Sequence, residues 1–170
     1  MLASFGDVIR LAIFAHTHMD ELRLLLPESK GDGAAEQPGV ALKMIPSISP
    51  VDGNLPSFVV GQVDPATGTL KDYQVIAASN ATGTDTKWAE EYDFDREYHQ
   101  AAFNASAVSA LIAGFHTDRA AQTPASESYL KNYFDRDQSI ALKIFWPQYV
   151  CALDNTTTET YRSCICASEQ

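Results

Sequence analysis

Short apolar runs separated by polar turns occupy the first half of the chain, which is the pattern of β-strands. Such runs lie at 11–15, 22–26, 40–45, 58–63 and 71–76. The last two flank the turn-rich segment 64–69 and predict a β-hairpin. Residues 27–38, rich in Gly, Glu and Ser, predict an exposed loop.

The second half of the chain has the periodicity of helices, beyond a segment at 80–86 that is rich in Asn, Thr, Gly and Ala. One apolar face follows a possible helix cap at Asn104 and consists of Val108, Leu111, Ile112 and Phe115. Thr123 and Pro124 suit a cap and a first helical residue, leading to a second face at Tyr129, Leu130, Tyr133 and Phe134. A third segment begins near Ser139 and should kink or end at Pro147. We predict a mixed α and β fold with a β-rich part at 1–79 and a helical part at 80–170.

Composition limits the classes of partner. The chain has 170 residues, of which 45% are hydrophobic, and a net charge of −10, so clustered phosphates of a nucleic acid or an anionic membrane are not expected partners. The first residues lack the basic and apolar regions of a leader, and no stretch approaches the roughly 20 apolar residues that span a bilayer. We therefore expect neither an export signal nor a membrane anchor in the chain as given.

Candidate chemistry lies at the end of the first apolar run. Residues 11–15 lead directly to His16 and His18, which are followed by Asp20 and Glu21. Ligands of α/β sheets bind beyond the carboxyl ends of the strands, and imidazoles at i and i+2 of an extended segment face the same side. The pair is therefore a candidate metal site, and the two carboxylates could fix the imidazole tautomers. A solvated turn is the alternative, because an H-x-H pair is a weak signal on its own.

Two stretches resemble one known family. The string from His16 to Arg23 resembles the G-H-T-H-x-D-E-F motif of acid sphingomyelinase-like metallophosphoesterases, within the calcineurin-like phosphoesterase superfamily. Residues 46–49, followed by 53–58 and Asp64, resemble the later P-S-x-[ST] … N-P-[GS]-[FY] … D segment of that family. Ala15 replaces the family's glycine, and a positive φ there would cost about 1 kcal/mol.

The resemblance implies the C-terminal part of a metallophosphoesterase β-sandwich with flanking helices, followed by a small helical subdomain. His16 and His18 would be the last two ligands of a centre of two divalent ions, which we expect to be zinc. Thr17, Asp20, Glu21 and Asn54 would lie behind these ligands or beside the substrate. The family's earlier motifs, D-x-H, G-D-x-x-D, G-N-H-[DE] and a further His, do not occur in the chain. We therefore expect a fragment of a phosphodiesterase that is incomplete alone, that lacks an N-terminal half as its partner, and whose parent is secreted or periplasmic.

Other functions remain open at this stage. The chain could be a non-catalytic domain that binds a partner or a lipid, or it could assemble with a separately encoded N-terminal half. An exposed sheet would also favour homo-oligomers. The aromatic residues Tyr92, Phe94, Tyr98 and Phe103 could line a lipid-facing wall, although such clusters more often form a core. His99 and His116 suit surface or helix-packing positions.

The three cysteines, Cys151, Cys164 and Cys166, lie near the end of the chain. A bridge from Cys151 to either of the other two would stabilise the fold by about 3 kcal/mol. Three reduced thiols are the alternative, and a three-cysteine zinc site lacks a nearby fourth ligand. The family resemblance favours the bridge, because the family carries cystines in its C-terminal helical part.

Overall fold

A computed structural model describes residues 2–27, 39–134 and 139–168. The predicted loop at 27–38 therefore lies outside the described residues, except for its first residue. The described elements are a 3₁₀-helix at Leu2–Phe5, the strands β1 (Ala12–Phe14), β2 (Glu21–Leu25), β3 (Val40–Met44), β4 (Ser57–Val63), β5 (Leu70–Ala78) and β6 (Trp88–Asp93), and the helices α1 (Phe94–Tyr98), α2 (Ala105–Thr117), α3 (Pro124–Asn132), α4 (Ile140–Ile144), α5 (Trp146–Asp154) and α6 (Thr158–Ser168). This content confirms the α+β class.

The first sheet has the strand order β1-β3-β2. β1 is parallel to β3, with Phe14 opposite Met44, and β2 is antiparallel to β3. Because parallel strands end at the same edge of a sheet, the turn after β1 and the loop after β3 leave the sheet side by side. This edge is where the candidate histidines lie.

The second sheet has the order β4-β5-β6 and confirms the predicted hairpin of β4 and β5. The expectation that the chain is helical after residue 86 is wrong for Trp88–Asp93, which forms β6 and pairs antiparallel with β5. Ala89, Glu90 and Glu91 favour helices in isolation, but pairing with the edge of β5 decides the structure of this segment. The division of the chain at residue 79 remains a prediction.

Helix boundaries follow the predicted caps. The Asn104 side chain accepts a hydrogen bond from the Ala107 backbone N–H at the start of α2. The Thr123 side chain accepts one from the Ser126 backbone N–H at the start of α3. The third predicted segment breaks at Phe145, and Pro147 lies in the first turn of α5. Among the described residues, no helix is long and apolar enough to cross a membrane.

One hydrophobic core joins both sheets to the helices. It contains side chains of β2, β3, β5 and β6 and of α1, α2, α3 and α5, among them Leu22, Leu24, Val75, Tyr92, Phe115 and Trp146. The four aromatic residues considered as a lipid wall, Tyr92, Phe94, Tyr98 and Phe103, are all buried in this core. The core interpretation of these rings is therefore confirmed, and they are not available to a lipid surface.

The apolar run at 11–15, bounded by polar residues, is typical of a buried strand of an α/β sheet, but this prediction is wrong for β1. Ile13 is 58% exposed and Phe14 is 43% exposed, and their side chains point to opposite faces because they are neighbours in a strand. Among the described residues β1 pairs only with β3, so one edge and parts of both faces have no covering element. A strand that is apolar on both faces is typical of the interior of a larger sheet.

Candidate functional site

The two histidines lie on a turn between β1 and β2. Ile45 donates a backbone hydrogen bond to the Phe14 carbonyl (2.8 Å), which continues the pairing beyond β3, and Ser47 donates to the His18 carbonyl (3.3 Å). The loop after β3 therefore fixes the backbone of the histidine turn. This contact brings together the two stretches that resemble one family.

Both histidines have positive φ angles, 111° at His16 and 64° at His18. Histidine enters the left-handed region more readily than most residues, but the value at His16 lies outside even that region. Such conformations cost on the order of 1–3 kcal/mol each and concentrate at functional sites. Ala15 is not among the residues with positive φ, so the predicted cost of replacing glycine there does not arise.

The imidazoles are open to solvent to different degrees. His16 is exposed and His18 is partly buried. The Nδ1 atom of His18 lies 3.3 Å from Asp52 Oδ2, within ion-pair distance. Within the part of the chain that the structure describes, neither this nitrogen nor the buried hydroxyl of Thr17 has an aligned hydrogen-bond partner. Sequence reasoning missed Asp52, although it lies between the first two parts of the second family-like stretch.

The described residues form no group of three mutually close metal ligands that includes either histidine of this pair. In 2–27, 39–134 and 139–168, a group of three or more His, Cys, Asp or Glu side chains with ligand atoms close together occurs at His116, Cys151 and Cys164 and does not include His16 or His18. Two imidazoles are suitable donors for a transition metal, but a stable site needs further ligands.

Asn54 closes the loop that follows β3. Its side chain is fully buried and donates to the carbonyls of Ser47 and Leu55, both at 3.2 Å. Ser57 also donates its backbone N–H to the Ser47 carbonyl (3.0 Å). Asn54 thus supports the residue that holds His18, and its predicted position beside a substrate remains a prediction.

Asp20 is buried in contact with the second sheet. It forms an ion pair with the buried Lys43 of β3 and accepts a hydrogen bond from the Tyr92 hydroxyl at 2.8 Å. The Lys43 ammonium lies 4.8 Å from the centre of the Tyr73 ring, and the Tyr73 and Tyr92 hydroxyls are 3.3 Å apart. Burial, followed by the charge of Asp20, raises the pKa of both tyrosines well above the usual value, so their hydroxyls keep their protons.

Glu21 points instead toward the helices. Its carboxylate accepts from Arg23 at 2.9 Å and from the Tyr149 hydroxyl of α5 at 3.1 Å. The Tyr149 hydroxyl also lies 2.9 Å from that of Tyr129 in α3. Burial, and then the neighbouring Tyr129 and Glu21, raise the pKa of Tyr149.

The two carboxylates therefore have structural partners away from the histidines. Asp20 connects the turn to the sheet of β4, β5 and β6, and Glu21 connects it to α3 and α5. Apart from Arg23, the partner residues Lys43, Tyr92 and Tyr149 lie 23 or more positions away in the sequence, so the pattern of the motif alone does not reveal them. Their predicted role in fixing the imidazole tautomers is not tested by these contacts and stays a prediction.

The cysteines separate into a bridge and a free thiol. Cys151 of α5 is bonded to Cys164 of α6, and Cys166 is free and exposed. This selects one of the two pairings that the sequence left open. Of the two other histidines considered, His99 is exposed, while His116 is partly buried with Nε2 at 3.2 Å from Asp154 Oδ2.

No family model matches the chain. Its sequence is similar to that of a sphingomyelinase-like phosphodiesterase, which is the class that the two motifs suggested. The relative is acid sphingomyelinase-like phosphodiesterase 3b of Homo sapiens, 26% identical over 174 residues, a match that covers 95% of this chain and 36% of the relative. The chain thus spans about a third of the length of the curated relative that it matches. The similarity confirms the resemblance and supports an origin in the metallophosphoesterases.

Proposed function

We propose that this chain supplies two histidine ligands, His16 and His18, to the two-metal centre of a phosphodiesterase whose other ligands lie on polypeptide outside the chain. The observation that carries the proposal is the turn itself, because both histidines adopt positive φ angles at the carboxyl edge of two parallel strands. A protein retains such strain where function requires it. The similarity to a phosphodiesterase is the second support.

The residues present fit one part of a metal centre. Two imidazoles on one turn suit zinc or a similar divalent ion, and among the described residues the buried Nδ1 of His18 has no aligned hydrogen-bond donor or acceptor. When bound, two metal ions polarise a phosphoryl oxygen and lower the pKa of a water molecule. This chain's contribution is to hold the two imidazoles, through the Ser47 contact and the buried carboxylates behind the turn. We propose no catalytic residue within the chain.

The missing ligands belong, in this proposal, to a polypeptide that lies beside β1. Ile13 and Phe14 are exposed on opposite faces of a strand with one described neighbour. An added strand would pair with the open edge of β1, and elements that it carries would cover both apolar side chains. A covalently continuous N-terminal half and a separate chain both satisfy this requirement, and a second copy of this chain would give a homo-oligomer. The disulfide supports an oxidising compartment, such as the secretory pathway or the periplasm, for the parent protein.

The alternative is a non-catalytic domain that binds a partner through the same apolar strand. Replacing Ile13 and Phe14 by Lys should abolish association with any sheet-completing partner in either case. Metal binding separates the two functions, because a pure binding module has no need of the histidines.

The experiment is a zinc titration of the oxidised chain by equilibrium dialysis, with an artificial phosphodiester as substrate. We expect weak zinc binding that falls at least about tenfold in His16→Ala and in His18→Ala, with no turnover above that of free zinc. His99→Asn is the control, because it removes an exposed histidine at a position with φ of 53° where asparagine fits.

Zinc binding that survives both histidine substitutions would overturn the ligand assignment. Turnover by the isolated chain would overturn the statement that the site is incomplete.

A further inference from the structure

A second group of potential metal-ligating side chains lies in the helical part of the chain. His116 near the end of α2, Cys151 of α5 and Cys164 of α6 place one ligand atom each within 4.8 Å of the other two. Cys151 is fully buried, and the other two residues are partly buried. In the oxidised protein the two sulfur atoms are joined in the disulfide.

The imidazole in this group is already oriented by a carboxylate. Asp154 of α5 places Oδ2 3.2 Å from His116 Nε2, and its Oδ1 accepts a hydrogen bond of 2.7 Å from Asn155. Metal-binding histidines commonly have a carboxylate on one ring nitrogen, which fixes the ring and raises its basicity. An imidazole held in this way beside two sulfur atoms is the donor set of a Cys₂His site with one open position.

We propose that reduction of the Cys151–Cys164 bridge converts this group into a zinc site formed by Cys151, Cys164 and His116. A phosphine reductant breaks the S–S bond with two electrons and becomes a phosphine oxide with oxygen from water, leaving two thiols. Zinc then binds both sulfurs as thiolates and releases their two protons to solvent. The site is separate from His16 and His18, so this inference does not depend on the proposed phosphodiesterase function.

Helix geometry excludes the third cysteine from the site. Cys166 lies two residues after Cys164 on α6, so the two side chains point to different sides of the helix, and Cys166 is exposed. Cys166→Ser is therefore a matched control for Cys164→Ser. Both variants and the reduced native chain lack the bridge under reducing conditions, so the loss of the disulfide is common to all three.

The test is a cobalt titration of the full chain, reduced by a phosphine under nitrogen and followed by the thiolate-to-cobalt charge-transfer absorption. We expect one cobalt ion per chain with the absorption of two thiolates, displaced by zinc and unchanged in Cys166→Ser. Affinity should fall at least about 100-fold in Cys164→Ser and at least about tenfold in His116→Ala. The oxidised chain should give no such absorption.

A labelling measurement remains informative if a reduced variant unfolds. Zinc should protect Cys151 and Cys164 of the reduced native chain from an alkylating reagent while Cys166 reacts at an unchanged rate. Equal labelling of the first two cysteines with and without zinc would overturn the proposal. So would cobalt absorption that persists in Cys164→Ser or is unaffected in His116→Ala.

Discussion

Residues 15–18 and residues 20–23 belong to one continuous sequence motif, but the structure gives them opposite surroundings. The first group carries two histidines with positive φ angles and side chains that are exposed or partly buried. The second carries Asp20 and Glu21, both buried and both engaged by charged or hydroxyl groups. The comparison indicates that the buried carboxylates hold the strained turn in place, while the proposed ligand role of the histidines depends on their access to solvent.

The protein should lose stability at alkaline pH because its buried tyrosine hydroxyls ionise, and this is the largest effect that we expect. Burial raises the pKa of Tyr73, Tyr92, Tyr98, Tyr129 and Tyr149 above the usual value. Their contribution is fully present below the unfolded pKa of about 10 and is lost as pH rises toward the higher folded values. Urea unfolding should show the free energy of unfolding falling above pH 10 by roughly 1 kcal/mol or more per pH unit for each such tyrosine.

Tyr92→Phe provides the control for this pH dependence, since it removes one of the titrating hydroxyls and should reduce the alkaline slope. A free energy of unfolding that stays constant to pH 11 would contradict the burial of these hydroxyls.

Breaking the buried ion pair should have the next largest effect. Asp20→Ala leaves the Lys43 ammonium buried without its carboxylate and should lower the free energy of unfolding by about 3–5 kcal/mol. Chemical denaturation measures this change. Asp52→Ala, which removes an exposed carboxylate beside His18, should change stability by less than about 0.5 kcal/mol. If the two substitutions lower the free energy of unfolding equally, the contrast between the buried carboxylates and the exposed part of the turn is wrong.

The hydrogen bond between Glu21 and Tyr149, which connects the turn to the helices, should contribute less to stability than the ion pair of Asp20 and Lys43. Tyr149→Phe deletes the hydroxyl that donates to Glu21 and should cost about 1–2 kcal/mol, because a buried carboxylate loses one donor while Arg23 remains. Thermal or urea unfolding gives the value. Tyr161→Phe on α6, at a partly buried position, is the control and should leave the free energy of unfolding nearly unchanged. A loss of stability as large as that of Tyr149→Phe would show that the Glu21 contact is not the cause.

The smallest effect has the opposite sign. His16→Gly relieves a φ of 111° and should leave stability unchanged or raise it by up to about 1 kcal/mol. Ala15→Gly is the matched control, because Ala15 has no positive φ and the change should lower stability by about 0.5–1 kcal/mol. If His16→Gly destabilises the chain as much as Ala15→Gly does, the turn is not strained.

Local signals in the sequence were enough to predict the helix caps at Asn104 and Thr123, the β4 and β5 hairpin and the break before Pro147. These features depend on residues close together in the chain. The strand β6 was missed because its formation depends on the edge of β5 and not on its own composition. An exposed sheet was expected, but β1 could not be identified as the exposed strand, because an apolar run has the same appearance whether or not its neighbours are present.

For the candidate site, the motif located the histidines but not their surroundings. The pairing of Asp20 with Lys43 and of Glu21 with Tyr149 joins residues 23 and 128 positions apart, which no local pattern records. The positive φ angles are likewise a property of the folded turn, since histidine is not a residue that signals them in the way glycine does. The choice of Cys164 over Cys166 needed the packing of α6 on α5.

The measurement that tests the central claim most directly is the location of a bound paramagnetic ion. Cobalt added to the ¹⁵N-labelled oxidised chain should broaden the amide signals of residues 14–20 and 45–54, and the broadening should vanish in the double variant His16→Ala and His18→Ala. Broadening centred elsewhere, or retained in the double variant, would contradict the assignment of this turn as the metal-binding part of the chain.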